Sequence, residues 1–324
     1  MRESVRVSVA LCTFNGEKYI AEQLESILSQ TYPVSEVVIF DDASEDKTVE
    51  IIRRFISCGA VDIKLKQNEE RVGIAHNFSQ AIEHCTGEII FLSDQDDIWL
   101  EDKVERFIEV FVSNDSAGAV FSDAFLIDEA GRRLSYSLFE RWGFSHSERK
   151  LFSLWRAYEV LVRKSVVTGA TLAFRSQLKK YILPIPDLWL QDEWIAIVSS
   201  IFSLILPIDV KTIEYRQHGE NVIGARKRTL AETVDISRTR GYEYFGKRAD
   251  AYERLLKLID REGSSEIKGN ARVLIAGKIG HLRNRALIQG SFLRKTYLPF
   301  SELLRGNYNR YSNGFKSFFR DLFL

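Results

Sequence analysis

Several common functional signatures are absent from this chain of 324 residues. No GxGxxG follows the first strand-like segment and no GxxxxGK[ST] occurs anywhere, which excludes the dinucleotide fingerprint and the P-loop. The three cysteines, Cys12, Cys58 and Cys85, are odd in number and form no CxxC pair, so neither a disulfide framework nor a zinc site is expected. No apolar run reaches the roughly 18 residues of a membrane span, and no signal-peptide core follows Met1. We therefore expect a cytoplasmic protein with reduced thiols.

The composition is that of an ordinary globular protein, with 45% hydrophobic and 28% charged residues. The formal net charge is zero, which gives no general reason to expect nucleic-acid binding. The charges are unevenly distributed, however, because 21 of the 45 Lys and Arg residues but only 10 of the 45 Asp and Glu residues lie at or after Arg226. An acidic first part and a basic, aromatic-rich last part predict surfaces with different partners.

Short apolar strands alternate with amphipathic helices through the first 125 residues. The β-α-β-α-β-α-β pattern predicts a Rossmann-like α/β fold with a mostly parallel sheet and helices on both faces. Ser44 is expected to be the N-cap of the second helix. Residues from about 130 to 164 follow no regular pattern, and their aromatic side chains suit either an acceptor-sugar platform or, more commonly, core packing. After Arg226 the sequence is helical and basic.

Three carboxylates follow the apolar strand around Ile90 within four residues: Asp94, Asp96 and Asp97. Adjacent like charges repel, and their burial without compensation is costly, so water or a cation must share the site. Oxygen ligands of this kind suit Mg²⁺ or Mn²⁺ together with substrate phosphates. A solvated turn that caps the next helix is the alternative, and these residues alone leave both interpretations open.

Other polar groups are expected near this cluster. The segments Thr13–Glu17 and Asp41–Asp42 also follow strands, and ligands of open α/β sheets bind at such strand ends. Asp192 lies in the first turn of a buried helix, where the helix dipole alone would explain a negative charge. The segment 215–218 reads Tyr-Arg-Gln-His. Its Arg suits diphosphate through its forked donors, and neutral His is a common metal ligand.

The segments 9–16, 38–44 and 87–97 resemble the nucleotide-sugar half of family 2 glycosyltransferases, which have the A-type glycosyltransferase fold. This resemblance implies that Thr13, Asn15 and Glu17 line the nucleotide and that Asp41 or Asp42 accepts from its base. It also implies that Asp94 and Asp96 form the Asp-x-Asp (DXD) metal site, with His218 as a metal or diphosphate contact and Arg216 beside it. His76 or Arg71 would replace an Arg that many relatives carry in this region.

The same resemblance implies that Asp192 is the catalytic base. Many rhamnosyltransferase-like relatives read His-Asp-Trp-Trp here, whereas this chain has Gln191-Asp-Glu-Trp194, which makes Glu193 a rival base. The Asp-Gln-Asp-Asp-Ile-Trp form of segment 94–99 resembles the rhamnosyltransferase-like branch and suggests rhamnose as the transferred sugar.

The function expected from the resemblance is inverting, metal-dependent transfer from a nucleotide-diphosphate sugar to a glycan or lipid-linked acceptor in cell-surface polysaccharide synthesis. The expected division is a catalytic domain at 1–225, with a nucleotide-sugar half at 1–125 and an acceptor half at 126–225. A basic amphipathic helical region at 226–324 would bind an anionic membrane surface at the inner face of the cell membrane, pack on the catalytic domain or form a homodimer. The alternatives are a sugar nucleotidyltransferase and a non-catalytic nucleotide-sugar-binding partner of an assembly complex.

Overall fold

The computed structural model describes residues 4–59, 61–218, 243–262, 266–288 and 292–323. A single nine-stranded sheet organises the described chain. Its strands are β1 (Val7–Thr13), β2 (Glu36–Asp41), β3 (Asp62–Gln67), β4 (Ile89–Ser93), β5 (Ile98–Trp99), β6 (Ala117–Ile127), β7 (Arg133–Ser137), β8 (Leu172–Arg175) and β9 (Leu204–Arg216). They lie in the order β3-β2-β1-β4-β8-β6-β9-β5, and β7 pairs with β6.

The predicted α/β fold is confirmed, but the sheet is mixed, and the predicted parallel arrangement holds only for part of it, which includes the pair of β6 with β9. The strands β3, β2, β1 and β4 are parallel, as the alternating pattern predicts. Beyond them, β8 runs antiparallel to both β4 and β6, and β5 runs antiparallel to β9. The strand β8 lies in the part of the chain after residue 165. The sequence there has no alternation of strands and helices from which the direction of the strand could be predicted.

Helices cover both faces of the parallel part. The first nine are α1 (Ile20–Leu28), α2 (Thr48–Cys58), α3 (Ile74–His84), α4 (Lys103–Ser113), α5 (Leu138–Trp142), α6 (His146–Ser153), α7 (Ala157–Leu161), α8 (Lys179–Ile182) and α9 (Gln191–Phe202). Val9 and Leu11 of β1 pack in the same core as residues of α1 and α4, whereas Ala10 packs in the opposite core with residues of α3 and α9. This alternation follows from the two-residue period of a strand.

Two local predictions are wrong. Ser44 does not cap α2, which begins at Thr48; the Ser44 hydroxyl instead donates to Asp41. Residues 130–164 are also regular, because β7 and the helices α5, α6 and α7 lie there. The helices α5 and α6 each begin with a capping box, formed by Ser137 with Glu140 and by Ser145 with Glu148.

Five further helices follow residue 242: α10 (Glu243–Arg261), α11 (Glu266–Ala286), α12 (Phe292–Leu304), α13 (Asn307–Tyr311) and α14 (Phe315–Phe323). α11 packs on α7 and α9, and Tyr252 of α10 shares a buried core with Trp189 and Trp194. Arg226 and the expected boundary at 225/226 lie outside the described residues. In the described part of the chain, no helix combines the length and the apolar character needed to cross a membrane.

Candidate active site

The loops after β1 and β2 are fastened to each other by side chains. Thr13 Oγ1 donates to Asp41 Oδ2 at 2.7 Å, and Asp41 also accepts from the Ser44 backbone at 2.9 Å. Asn15, which has a φ of 47°, accepts from the Glu45 backbone through Oδ1 at 2.9 Å. These contacts bring Thr13 and Asn15, two of the predicted nucleotide residues, to the edge of the sheet that Asp41 occupies.

Glu17 and Asp42 hold neighbouring segments. Glu17 Oε2 accepts from the Lys47 backbone at 3.0 Å, so it connects the first loop with the start of α2. Asp42 is buried and accepts from the backbone N–H groups of Val72 and Gly73 at 2.8 and 3.0 Å. Both carboxylates therefore bind backbone N–H groups of this chain and fix the shape of the loops around them.

The two candidates for the missing family Arg lie in different places. The Arg71 guanidinium stacks on the ring of Phe14 at 3.7 Å, and its Nε lies 3.9 Å from Asp42 Oδ2. His76 is mostly exposed, with its Nδ1 3.7 Å from Asp187 Oδ1. Arg71 is thus in contact with the first two loops, whereas His76 faces the segment that precedes α9.

Gln95 fixes the acidic loop against the first loop. Its Oε1 accepts from the Phe14 N–H at 2.8 Å, and its Nε2 donates to the Phe14 carbonyl at 3.0 Å. A Cβ at residue 16 would lie 2.3 Å from Gln95 Oε1, so Gly16 is required for this close approach. The carboxylates on either side of Gln95 are thereby held beside the first loop.

The three carboxylates after β4 do not cap a helix, because α4 begins only at Lys103. Burial, with added repulsion from Asp96 and Asp192, raises the pKa of Asp94 to about 7. Burial and the neighbouring Asp96 charge also raise the pKa of Asp97 well above its usual value. The cluster therefore holds more negative charge than its buried surroundings favour.

Lys103 supplies a cation behind this cluster. Its side chain is fully buried, its Nζ donates to the Ala170 carbonyl at 2.7 Å, and it lies 3.6 Å from the centre of the Trp99 ring. Burial lowers the pKa of Lys103 well below its usual value, although the charges of Asp97 and Asp94 oppose that shift. Lys103 thus offsets the acidic charge only in part.

The end of β9 joins the acidic loop. The Arg216 N–H donates to Asp97 Oδ1 at 2.9 Å, and the guanidinium donates to the Asp96 carbonyl at 2.9 Å and to Glu22 at 2.6 Å. His218 Nε2 lies 2.7 Å from Asp96 Oδ2, and its ring stacks on Tyr19 at 5.2 Å. The structure therefore brings both predicted residues, Arg216 and His218, to the acidic cluster. The Arg216 guanidinium there donates to acceptors of this chain, the Asp96 carbonyl and Glu22.

Asp192 lies at the start of α9, next to a glycine turn. Its Oδ2 accepts from the Gly169 N–H at 3.2 Å and its Oδ1 from the Glu193 N–H at 2.7 Å. Burial, with the nearby Glu193 charge, raises the pKa of Asp192 to about 7 in spite of these hydrogen bonds. The Asp192 charge also raises the pKa of Asp94, so the two carboxylates lie within electrostatic range of each other.

Glu193 has a different environment. Its Oε2 lies 2.6 Å from Nη2 of Arg248, a largely buried residue of α10. Arg248 also donates to the Leu188 carbonyl at 2.8 Å, and its guanidinium stacks on the Trp189 ring at 4.1 Å. Glu193 is therefore paired with a cation of the C-terminal helices, whereas Asp192 accepts from backbone N–H groups.

The donor set suits a divalent cation. Asp97 Oδ2 is buried without a hydrogen-bond partner, and the excess negative charge around it is what a hard cation with oxygen ligands relieves. Within the described residues, no group of three or more His, Cys, Asp or Glu side chains is already arranged around a metal position. Asp94, Asp96 and His218 are thus suitable ligands by chemistry, and metal binding would need them to converge.

Sequence reasoning missed three residues that shape this site. Lys103 lies on the same helix face as the buried Phe107 and Phe111, and this four-residue spacing could have shown that it is buried. Gln95 sits within the acidic motif, but only the close approach of the first loop reveals its role. Arg248 comes from a distant helix, and no sequence signal connects it with Glu193.

Comparison with known families adds the decisive observation. The family described as "Glycosyl transferase family 2" matches residues 8–168, which include the first loop, Asp41, Asp42 and the acidic cluster. Residues 8–168 thus resemble a family 2 glycosyltransferase domain. The match ends just before Gly169 and therefore does not include Asp192, Arg216 or His218.

Curated proteins that are similar to this chain carry glycosyltransferase names. The putative glycosyltransferase EpsE of Bacillus subtilis is 32% identical over 133 residues, which cover 41% of this chain and 48% of that protein. The beta-1,3-glucosyltransferase WfgD of Escherichia coli, named for transfer from UDP-Glc to alpha-D-GlcNAc-diphosphoundecaprenol, is 33% identical over 33% of this chain and 42% of its own length. The dTDP-rhamnosyl transferase RfbG of Shigella flexneri is 28% identical over 66% of this chain and 74% of that protein. The chain thus spans less than half the length of the first two.

Solved structures extend the likeness beyond the family 2 match. TarS of S. aureus (residues 1–349) superposes with a TM-score of 0.54 and 18% identity over 92% of this chain and 76% of that chain. The mannosyltransferase PcManGT of Pyrobaculum calidifontis, solved with GDP-Man and Mn²⁺, superposes with a TM-score of 0.53 and 18% identity. The superposition covers 99% of this chain and 86% of that chain. At such identities the likeness concerns the fold, which is the A-type glycosyltransferase fold.

Proposed function

We propose that this chain is an inverting, metal-dependent glycosyltransferase that acts in cell-surface polysaccharide synthesis. It would move a sugar from a nucleotide-diphosphate sugar to a hydroxyl of a glycan or lipid-linked acceptor. The observation that supports the proposal is that the half-buried carboxylate of Asp192, held by the Gly169 N–H at the start of α9, lies close enough to the half-buried Asp94, just after β4, for its charge to raise the pKa of Asp94. One carboxylate is thus available at the expected diphosphate position and another at the expected acceptor position.

The donor side of the site is assigned to the first two loops and the acidic loop. Thr13, Asn15 and Glu17 would line the nucleotide, and Asp41 or Asp42 would accept from its base. Between the two candidates for the additional nucleotide contact, the structure favours Arg71, because it lies against Phe14 and Asp42 whereas His76 lies near Asp187.

Mg²⁺ or Mn²⁺ would be held by Asp96 and Asp94 with His218, and when bound it neutralises charge on the leaving diphosphate. Arg216 would lie beside the diphosphate, and its bonds to Asp97 and the Asp96 carbonyl hold the acidic loop on β9. This arrangement preorganises the acidic loop before substrate binds.

Asp192 would act as the general base. Its carboxylate takes the proton of the acceptor hydroxyl while the hydroxyl oxygen attacks the anomeric carbon from the face opposite the diphosphate. The anomeric carbon–oxygen bond to the diphosphate breaks in the same displacement, which inverts the anomeric configuration. Glu193 is the weaker candidate because its carboxylate is occupied by the ion pair with Arg248.

The sugar and the acceptor are proposed from relatives. RfbG, named a dTDP-rhamnosyl transferase, supports a deoxysugar such as rhamnose, and WfgD, named for a diphosphoundecaprenol-linked acceptor, supports a lipid-linked glycan. A lipid-linked acceptor would place the protein at the inner face of the cell membrane, where a homodimer or a membrane contact through the C-terminal helices would hold it.

The proposal is tested by measuring nucleoside diphosphate release from a panel of nucleotide-sugars, with and without Mn²⁺, together with thermal unfolding of the same mixtures. We expect one nucleotide class to stabilise the protein only with metal and to be turned over when acceptor is added. Metal-dependent stabilisation without turnover for any acceptor would instead indicate a non-catalytic binding partner. Pyrophosphate release from a nucleoside triphosphate would indicate a nucleotidyltransferase.

A further inference from the structure

The helices α12 and α14 and the end of α11 expose large apolar side chains on a continuous surface, here called the lipid face. Each of its six apolar members is at least half exposed: Leu287, Tyr297, Phe300, Leu304, Phe315 and Phe319. Isolated exposed apolar residues are common, but a contiguous group of this kind marks an interaction site.

Ring contacts connect the lipid face across two helices. Phe300 of α12 lies 5.2 Å from Phe318 of α14, Phe318 lies 5.5 Å from Phe319, and Phe319 lies 6.4 Å from Phe315, measured between ring centres. On the other side of Phe300, an open groove of about 740 Å³ is lined by Leu287, Arg294, Thr296, Tyr297 and Leu298. Apolar contacts therefore connect α14, through the buried Phe318, with Phe300 of α12, and the groove connects Phe300 with Leu287 at the end of α11.

The charges around the lipid face are of one sign. Only two acidic residues occur in 292–323, Glu302 and Asp321, and both are buried. Glu302 lies beside His281 and accepts from two Asn side chains, while Asp321 forms a two-bond ion pair with Arg285. The exposed charged residues of this segment are all basic: Arg294, Lys295, Arg305, Arg310 and Lys316.

We propose that the lipid face docks on an anionic membrane surface. Aromatic side chains would enter the interfacial region of the bilayer, and the surrounding Lys and Arg side chains would bind acidic lipid headgroups. A second copy of this chain fits less well, because a two-fold contact through the same surface would bring its cations face to face. This inference deepens the proposed function, on which it rests for the location of a lipid-linked acceptor.

The test is co-sedimentation of the full chain with vesicles, measured without donor or metal. We expect binding to vesicles rich in phosphatidylglycerol and little binding to pure phosphatidylcholine. The double variant Lys295→Gln with Lys316→Gln should bind the anionic vesicles about fivefold more weakly for each cation removed. Its matched control is Arg53→Gln, an exposed cation on α2, which should bind like the unmodified protein.

A second pair of variants tests the apolar part. Phe315→Ser with Phe319→Ser should abolish most vesicle binding, whereas Val112→Ser, at an exposed apolar residue of α4, should leave it unchanged. Unaltered thermal unfolding would verify that the variants are folded. Equal binding of all variants, or equal binding to both lipids, would overturn the proposal. Absence of vesicle binding together with a dimer that the Phe315 and Phe319 changes dissociate would replace it with a self-interface.

Because no sugar donor is present, these outcomes are independent of catalysis. A protein that binds anionic vesicles but transfers no sugar would retain the lipid face and refute the proposed function. A protein that transfers sugar to a soluble acceptor but does not bind vesicles would retain the proposed function and refute membrane docking by the lipid face.

Discussion

At the scale of single residues, the adjacent carboxylates Asp192 and Glu193 show how environment divides two similar groups. Glu193 is paired with Arg248 at 2.6 Å, while Asp192 is half-buried and accepts from the backbone N–H groups of Gly169 and Glu193. A general base needs a pKa near the working pH, and Asp192 meets this requirement because burial raises its pKa to about 7.

The first prediction separates binding from proton transfer. Asp192→Asn should lower turnover by roughly 10²–10⁴-fold, because the base is removed while the shape of the side chain is kept. Donor affinity, measured by calorimetry with metal present, should stay the same. Asp96→Ala should instead weaken metal-dependent donor binding. An active Asp192→Asn protein combined with an inactive Glu193→Gln protein would move the base to Glu193.

The second prediction concerns pH. Asp192 must be ionised to accept a proton, so its raised pKa means that activity is present above pH 7 and is lost as the pH falls through about 7. With donor and metal saturating, kcat should fall about tenfold for each pH unit below that value. The residual rate of Asp192→Asn should lack this dependence. An acidic limb near pH 4, the range of an unperturbed carboxyl, would contradict the assignment.

Individual residues also show how much of the candidate site can be predicted from the sequence. The motifs predicted which polar side chains come together at the sheet edge, because parallel strands must end at the same edge. They did not predict that Asp42, Asn15 and Glu17 bind backbone groups of neighbouring loops. Those bonds depend on how two loops approach each other, and residue type and spacing do not encode that distance.

At the scale of elements, helix α10 connects the C-terminal region with the start of α9, where the proposed base Asp192 lies. Arg248 donates to Leu188 and to Glu193, so one side chain joins α10 to the segment just before α9 and to α9 itself. The Trp189 indole N–H donates in return to the Ala251 carbonyl at 3.1 Å. The position and the electrostatic surroundings of Asp192 therefore depend on a helix outside the family 2 match.

The third prediction follows from this contact. Arg248→Gln would leave the Glu193 charge without its cation, and the added repulsion should raise the pKa of Asp192 and move the acidic limb of kcat to higher pH. The double variant with Glu193→Gln should move the limb back. Lys247→Gln, which removes an exposed cation one residue earlier, is the control. A pH profile that Arg248→Gln leaves in place would show that the ion pair has only a structural role.

Elements were predicted best where local signals agree. The four parallel strands and the helices between them have clear periodicity, whereas α5 and α6 were missed although both begin with the pattern Ser-x-x-Glu of a capping box. The direction of β8 could not be predicted, because it is decided by pairing with β4 and β6 across more than 50 residues of chain. Only tertiary contacts determine such a strand.

At the scale of the whole molecule, the C-terminal helices are continuous with the catalytic core. Phe245 and Tyr252 of α10 pack in the same buried cluster as Trp189 and Trp194, and the Tyr252 ring lies 4.9 Å from that of Trp189. Since one core includes both regions, we expect them to unfold together. The interior of the C-terminal region is held in addition by the buried ion pair of Arg285 and Asp321, which Tyr308 joins by a hydrogen bond of 2.7 Å.

The last prediction uses that ion pair. Asp321→Asn would leave Arg285 buried without a counter-charge, and the free energy of unfolding should fall by about 3–5 kcal/mol. Asp260→Asn, which breaks the exposed pair with Arg272, should cost less than about 1 kcal/mol. Urea unfolding followed by Trp fluorescence and by circular dichroism measures both, and the two signals should coincide because the core is shared. Separate transitions for the two signals would show that the C-terminal helices are an independent unit. An equal loss of unfolding free energy in the two variants would show that burial of the Arg285 pair does not determine its contribution to stability.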